Sequence, residues 1–275
     1  MLAVLTTASL VGVVYFAASS VSVVADVAAG NGPLGGLVAC ASKTLGPAPL
    51  GTAVGFEARE LAAFDATQLV LCEQLDAGVT ASHWELNTIS HVAIDHAGQL
   101  YACVGHTPGS VTAVSRDGGT QALAPLACDD LVGTRGGVVV MEADGTLSNV
   151  ERDGRLIATR AWPRSAGRTA GLSVNFDGSL LLLVHPPSVS VFRTVDLTPV
   201  VFATPCEVEH AGWSAAPNEL RVKCASEDRG VLRLNVVTGS HELQAVDDAR
   251  ARTLVPGRAL FIEPCGRWPC AAPPW

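Results

Sequence analysis

Positive charge is scarce in this 275-residue sequence. Lysine occurs only at Lys43 and Lys223, and the arginines form no basic cluster. The formal net charge is −8 at pH 7. Proteins that bind DNA or RNA need a positively charged footprint for the phosphates. The composition therefore predicts a chain that does not bind nucleic acid.

Motifs for several chemistries are also missing. There is no Cys-x-x-Cys pair and no histidine at zinc-finger spacing, which argues against a structural zinc. There is no Gly-x-Ser-x-Gly nucleophile elbow, and the glycine pairs lack the strand–loop–helix context of a phosphate-binding loop. We therefore expect no metal and no cofactor, and a non-catalytic chain is favoured over an enzyme.

Apolar residues, in contrast, are plentiful. They make up 48% of the chain, which is enough for a sizeable core. The 27 glycines and 16 prolines are spread along the sequence, as expected for many turns. The length suits one large all-β domain or two ordinary ones.

The stretch from residue 172 to residue 196 shows how these residues are arranged. Leu172, Val174 and Phe176 alternate as on one face of a strand. Asp177-Gly178 then marks a tight turn, and residues 180–184 form an apolar run typical of a buried strand. A Pro-Pro break and a second alternating strand follow. The pattern predicts an antiparallel meander.

This pattern repeats along the chain. Its first turns contain the residues Gly98, Gly136, Gly178, Asn218 and Gly257. They are separated by 38, 42, 40 and 39 residues. A second hairpin and a last strand follow each of the first four turns. Four strands in a period near forty are typical of a β-propeller blade.

The repeat predicts an all-β fold with a single β-propeller domain over residues 1–275. The four-stranded antiparallel blades are expected at about 1–44, 45–87, 88–126, 127–164, 165–205, 206–247 and 248–275. We expect seven blades, with six as the alternative, because the last blade is short. Residues 30–51, rich in Gly and Pro, are expected to form an enlarged loop.

The amino terminus allows two interpretations. Residues 2–25 carry no charge and are long enough for a membrane span, but they lack the basic start of a signal peptide. Their Ser-Leu and Ser-Val-Ser-Val pattern matches residues 179–191. We therefore expect the first strands of a blade rather than a clear membrane span, with a signal or anchor as the alternative.

The repeat resembles those of TolB-type and YVTN-type bacterial β-propellers. The resemblance rests on residues 174–184, 94–104 and 111–119, where an alternating strand, an Asp-Gly turn and a hydrophobic strand follow one another. It extends over about residues 50–260. The Gly-His and Trp-Asp signatures of WD repeats are absent. Families with this repeat include periplasmic scaffold and binding proteins, lactonases and quinoprotein-type dehydrogenases, so the fold alone does not select a function.

Polar residues precede the first strands of several units, where propellers often place sites at one end of the channel. Metal binding by the histidines and an aspartate is one interpretation, and a solvated polar rim is the favoured one. The ligand or channel-mouth candidates are His91, Asp129, Asp130, Arg168, His210 and Arg252. Trp213 shares a repeat position with Val92, which predicts a core residue rather than part of a carbohydrate platform.

Eight cysteines, an even number, suggest an oxidising compartment. Cys265 and Cys270 are expected to close a small disulfide loop. Cys103 and Cys224 lie in apolar strands, so the alternative for them is a buried free thiol. We expect a periplasmic or secreted location, with a cytoplasmic one as the alternative.

These features predict a monomeric, non-catalytic propeller that binds a protein or peptide partner at the channel mouth or across one ring face. The alternative is a propeller enzyme, a lactonase-like hydrolase or a quinoprotein-like oxidoreductase, with its site at the channel. An exposed apolar patch on one face would favour the first function. A stoichiometric metal would favour the second.

Overall fold

The computed structural model describes residues 35–46, 49–56, 59–105, 109–123, 126–162, 171–214, 216, 218–225 and 230–245. These ranges contain a helix and twenty strands, which form five four-stranded antiparallel sheets. In each sheet the strands lie in chain order, so every sheet is a meander. The predicted all-β propeller with four-stranded antiparallel blades is confirmed.

We number the sheets I to V along the chain. Sheet I contains β1 (Gly51–Val54), β2 (Glu60–Phe64), β3 (Gln68–Leu75) and β4 (Gly78–Glu85). Sheet II contains β5 (Ile89–Ile94), β6 (Leu100–Val104), β7 (Ser110–Val114) and β8 (Thr120–Ala122). Sheet III contains β9 (Cys128–Gly133), β10 (Gly137–Glu142), β11 (Thr146–Glu151) and β12 (Leu156–Ala161). Sheet IV contains β13 (Gly171–Val174), β14 (Leu180–His185), β15 (Ser188–Arg193) and β16 (Pro199–Val200). Sheet V contains β17 (Val208–Trp213), β18 (Glu219–Cys224), β19 (Gly230–Asn235) and β20 (His241–Ala245).

The first turn of sheet IV shows why the meander forms where the sequence places it. Gly178 has a φ of 69°, which glycine adopts without steric cost. The Asn175 side-chain oxygen accepts hydrogen bonds from the backbone N–H groups of Ser179 and Leu180, each at 2.9 Å. The turn is therefore closed by hydrogen bonds among its own residues.

Neighbouring sheets bury apolar faces against each other in chain order. The first strands of successive sheets are in contact, so they line the centre of the assembly. Sheets II and III approach so closely that a Cβ on Gly133 would lie 1.9 Å from the carbonyl oxygen of Ile94. Trp213 is 0% exposed in the core, as predicted.

The helix α1 (Gly35–Leu45) occupies part of the stretch that was expected to be an enlarged loop, and that expectation is wrong. Leu37 and Ala41 lie one helical turn apart and are buried against sheet I. The face they cover carries Leu61 and Ala63, while the opposite face of the sheet packs on sheet II. An amphipathic helix suits this place because it shields an apolar sheet face.

Two expectations fall on residues outside the described ranges. These are the blade strands or anchor at residues 1–25 and the short last blade at residues 248–275. Within the described ranges, helix α1 is not long and apolar enough to cross a membrane.

Two sheets are each joined to the preceding sheet by an arginine. This arginine lies in the turn between the third and fourth strands. Arg152 of sheet III donates from Nε to Asp95 of sheet II at 2.5 Å. Arg116 of sheet II forms ion pairs with Glu60 and Glu73 of sheet I. Both arginines belong to Arg-Asp-Gly turns at the same place in the repeat.

Asp95 is the buried centre of the first of these connections. Its side chain is 0% exposed and also accepts a hydrogen bond from the hydroxyl of Tyr101 at 3.1 Å. Burial and the adjacent Asp95 charge raise the pKa of Tyr101, so the phenol remains a donor. The Asp95 carboxylate is thus held by donors from two sheets.

Replacing Arg152 with alanine should lower the free energy of unfolding by about 2 kcal/mol, because the buried Asp95 carboxylate loses its cationic partner. Arg155→Ala is the matched control: Arg155 lies nearby, in the turn just before β12, and pairs with Glu151 at the surface. Its loss should cost about 0.5 kcal/mol or less. Urea unfolding measures both values, and equal losses would contradict the role given to Asp95.

Candidate functional site at the channel mouth

The inner strands present one repeat position at the end of the channel where they begin. This position lies three residues before the last paired residue of each first strand. We call the five residues the mouth positions: Gly51, His91, Asp130, Gly171 and His210. Three sequence-predicted candidates, His91, Asp130 and His210, therefore occupy equivalent places in three sheets.

A β-bulge precedes each of these three polar residues. The strand registers shift so that Ser90, Asp129 and Glu209 have no partner residue on the second strand. A bulge re-aims the side chains that follow it, and bulges are common beside binding sites. The sequence signal is a pair of consecutive polar residues at the start of each strand, where simple alternation would place only one. Asp129, another predicted candidate, is thus a bulge residue.

The structure brings His91 and Asp130 together across the boundary between sheets II and III. His91 Nε2 lies 3.8 Å from Asp130 Oδ1. The Asp130 side chain is 6% exposed, whereas that of His91 is 34% exposed. The Asp130 carboxylate is therefore buried, and His91 is the more accessible of the two side chains at the mouth.

Asp130 also contacts the backbone of two sheets. Its Oδ1 accepts the N–H of Leu131 at 2.8 Å, and its Oδ2 accepts the N–H of Leu172 in sheet IV at 3.4 Å. One carboxylate thus touches sheets II, III and IV. Such a residue caps backbone donors, as the polar-rim interpretation predicts, and it can orient the neighbouring imidazole at the same time.

His210 has different surroundings from His91. Its Nε2 lies 3.7 Å from Glu209 Oε1, and its cross-strand partner is Lys223. Burial lowers the pKa of His210 below its ordinary value of 6.5, and the Lys223 charge lowers it further, while Glu209 acts in the opposite direction. The imidazole therefore favours its neutral form in the folded protein.

Four candidates from the sequence lie outside the described residues: Arg168, Arg252, Cys265 and Cys270. In the part of the chain that is described, no group of three His, Cys, Asp or Glu residues is arranged to hold a metal ion. The role of His91, Asp129, Asp130 and His210 as ligand-binding residues stays a prediction.

Three disulfides lie within the described residues: Cys40–Cys72, Cys103–Cys128 and Cys206–Cys224. The alternative that Cys103 and Cys224 are free buried thiols is therefore wrong. Cys103 and Cys224 each lie in a second strand. Their partners, Cys128 and Cys206, lie at or just before the start of an inner strand. The sequence alone does not show that these segments are close to each other. Stable disulfides are typical of oxidising compartments.

An aromatic side chain is buried at the opposite end of the inner strands. Phe56 follows the inner strand of sheet I, is 5% exposed, and packs among core residues of sheets III and IV. Its ring centroid lies 5.2 Å from that of His96 in sheet II. A Cβ on Gly178 of sheet IV would lie 3.2 Å from the Phe56 ring. The Phe56 ring therefore lies among the first turns of sheets II and IV at this end.

Apolar residues that sequence reasoning missed stand out at the same end, which carries the first and third turns of the sheets. Phe176, Val195 and Val237 are 53%, 66% and 65% exposed. In the third turns of sheets II and III the places of Val195 and Val237 are taken by Asp117 and Asp153. Comparing turn tips between repeats would have revealed this contrast.

Five stacked four-stranded meanders with polar residues at one mouth define a β-propeller. No protein-family model matches the sequence, and no curated protein matches it. Among solved structures, a chain of the Mitotic Checkpoint Complex has a TM-score of 0.50 at 18% identity, covering 69% of this chain and 61% of that one.

Two other solved structures are similar at lower scores. The Cps50 (Swd1) β-propeller domain of Myceliophteria thermophila has a TM-score of 0.43 at 11% identity, covering 72% of this chain and 85% of that one. Hsv2 of Kluyvelomyces marxianus has a TM-score of 0.41 at 13% identity, covering 68% and 76%. The likeness concerns the fold alone, which is a β-propeller.

Two half-buried histidines predict how stability depends on pH. Burial lowers the pKa of His185, as it does that of His210. The unfolded chain therefore binds more protons than the folded protein below about pH 6.5, so stability should fall as the pH drops through this range. The urea midpoint should decrease between about pH 7 and pH 5.5.

The double variant His185→Gln/His210→Gln should show a smaller decrease than the unchanged protein over the same interval. His83→Gln serves as the control, because His83 is exposed on the outermost strand of sheet I. Equal decreases in all three proteins would show that other groups cause the pH dependence.

Proposed function

We propose that this chain is a non-catalytic β-propeller that binds a protein partner through its turn end, as a scaffold or binding module. The supporting observation is the set of exposed apolar tips in sheets IV and V, at the end that Phe56 fills. We further propose a bacterial protein of the TolB or YVTN kind, monomeric, without nucleic-acid binding, and located in the periplasm or secreted.

The tips lie on neighbouring turns. In sheet IV the Thr194 hydroxyl donates to the Gly178 carbonyl at 2.7 Å, which joins the turn of Val195 to the turn of Phe176. In sheet V, Val236 packs in the core cluster shared with sheet IV, and Val237 follows it. Exposed apolar residues that lie close together on one face are typical of a protein-binding surface, whereas single exposed apolar residues are common on any surface.

The turns that carry the tips are rigid. Asp196 accepts hydrogen bonds from Thr198 N at 3.0 Å and Thr198 Oγ1 at 2.7 Å, and these bonds lower the pKa of Asp196. Asp177 accepts from the Ser179 hydroxyl at 2.5 Å. Although partial burial acts to raise it, the Ser179 hydrogen bonds lower the pKa of Asp177. Fixed turns lose little conformational entropy on binding, which favours recognition.

The location rests on the disulfides. Three pairs of cysteines are bonded within the described residues, two of them beside the inner strands. Disulfides of this number are rare in reducing cytosol, with exceptions among hyperthermophiles. They support an oxidising compartment for the folded protein.

A second candidate function is an enzyme with its site at the mouth, either a lactonase-like hydrolase or a quinoprotein-like oxidoreductase. The observation that favours it is the His91–Asp130 pair at 3.8 Å, because a carboxylate that orients an imidazole is a common element of acid–base catalysis. The exposed apolar tips of sheets IV and V favour the binding module instead.

Photo-cross-linking tests the proposed partner surface. A benzophenone amino acid is placed at Val195 or Val237, and in matched controls at Asp117 or Asp153, which occupy the same repeat position. In the native host, the first two positions should cross-link to one and the same protein and the controls should not. Equal products from all four positions, or none, would contradict the proposal.

The identified protein is then purified and its affinity measured by calorimetry. Val195→Asp/Val237→Asp should weaken binding about tenfold or more, because a charge then replaces each apolar contact. Asp117→Asn/Asp153→Asn should bind as the unchanged protein does. A partner that binds both double variants equally would move the interface away from the tips.

A further inference from the structure

The Cys103–Cys128 disulfide lies directly beside the His91–Asp130 pair. Cys103 is the cross-strand partner of His91 in sheet II. Cys128 precedes Asp130 by two residues, with the bulge residue Asp129 between them, and its Sγ lies 3.9 Å from the Asp130 carbonyl oxygen. The bond therefore joins the strand behind His91 to the strand that carries Asp130.

We propose that this disulfide is a positioning group for the channel mouth. It anchors the start of β9 to β6, fixes the bulge at Asp129, and thereby holds the Asp130 carboxylate between His91 and the Leu172 amide. Both sulfurs belong to residues that are 0% and 2% exposed, so the bond is part of the packed boundary between sheets II and III. The role concerns the mouth end and stands apart from the partner surface at the turn end.

The same device occurs a second time in the molecule. Cys224 pairs with Val208 across β17 and β18 and follows Lys223, the cross-strand partner of His210. Its disulfide partner, Cys206, precedes His210 by four residues. Each bulged mouth residue therefore has a disulfide near its strand, although Cys103–Cys128 joins sheet II to sheet III and Cys206–Cys224 links β18 to the segment just before β17 of the same sheet. Two disulfides that each link a second strand to the start of an inner strand favour a positioning role at the mouth over a chance cross-link.

If the bulge at Asp129 opens, hydrogen exchange should change at one particular backbone amide. Leu172 N–H donates to Asp130 Oδ2 from the neighbouring sheet, at 3.4 Å. Asn175 N–H, at the other end of the same strand, donates to the Leu180 carbonyl within sheet IV. If Asp130 moves, the Leu172 amide loses its acceptor, whereas the Asn175 amide keeps its own.

The experiment measures amide hydrogen exchange by NMR in Cys103→Ala/Cys128→Ala, with Cys206→Ala/Cys224→Ala as the matched control. Exchange at Leu172 should accelerate about tenfold more than exchange at Asn175 in the first variant. In the control the two amides should keep the ratio of the unchanged protein. Cys103→Val/Cys128→Ala repeats the test with the buried volume better filled.

Asp130→Asn completes a double-mutant cycle. It should itself accelerate Leu172 exchange, and removing the disulfide in its background should then have no additional effect specific to Leu172. Parallel acceleration of Leu172 and Asn175, an unchanged Leu172 rate, or additive effects would overturn the proposal. Both disulfide-free variants failing to fold where the control folds would also overturn it, because the bond would then serve the whole fold.

Discussion

Face-to-face packing of adjacent sheets is the interaction on which the rest of this structure depends. A four-stranded meander cannot bury both of its apolar faces by itself, so each sheet needs a neighbour on either side. The approach is close enough at Gly133 and Ile94 to exclude any side chain between the inner strands. Where sheet I faces away from sheet II, helix α1 supplies apolar cover among the described residues.

This packing makes the two ends of the channel chemically different. At the turn end, short hairpins close on themselves, Asp95 binds Arg152 across a sheet boundary, and Phe56 fills the centre. At the mouth end, the inner strands begin with bulges and bring polar side chains together. Repetition of one motif thus produces an end made of turns, with ion pairs and exposed apolar tips, and an end made of polar strand entries, because the first and third turns always lie opposite the strand entries.

Sequence reasoning was most successful for features that depend on local chemistry. The Asp177-Gly178 turn, the four-strand period and the buried place of Trp213 follow from turn residues and alternation. It also singled out His91, Asp130 and His210 as candidates, because they precede the predicted first strands of their repeats, where propellers often place sites. It missed helix α1, since an eleven-residue segment with several small residues has little helical signature apart from the sheet face that it covers.

The sequence by itself determined the repeat, and therefore the meander, the turn positions and the all-β class, since these arise from contacts within about forty residues. Only the tertiary structure decided which residues of different repeats come together. The 3.8 Å approach of His91 to Asp130, the pairing of Cys103 with Cys128, and the reach of Phe56 into sheets III and IV all cross sheet boundaries. Such contacts depend on how whole sheets stack. The sequence of a single repeat does not indicate which residues of another sheet will contact it.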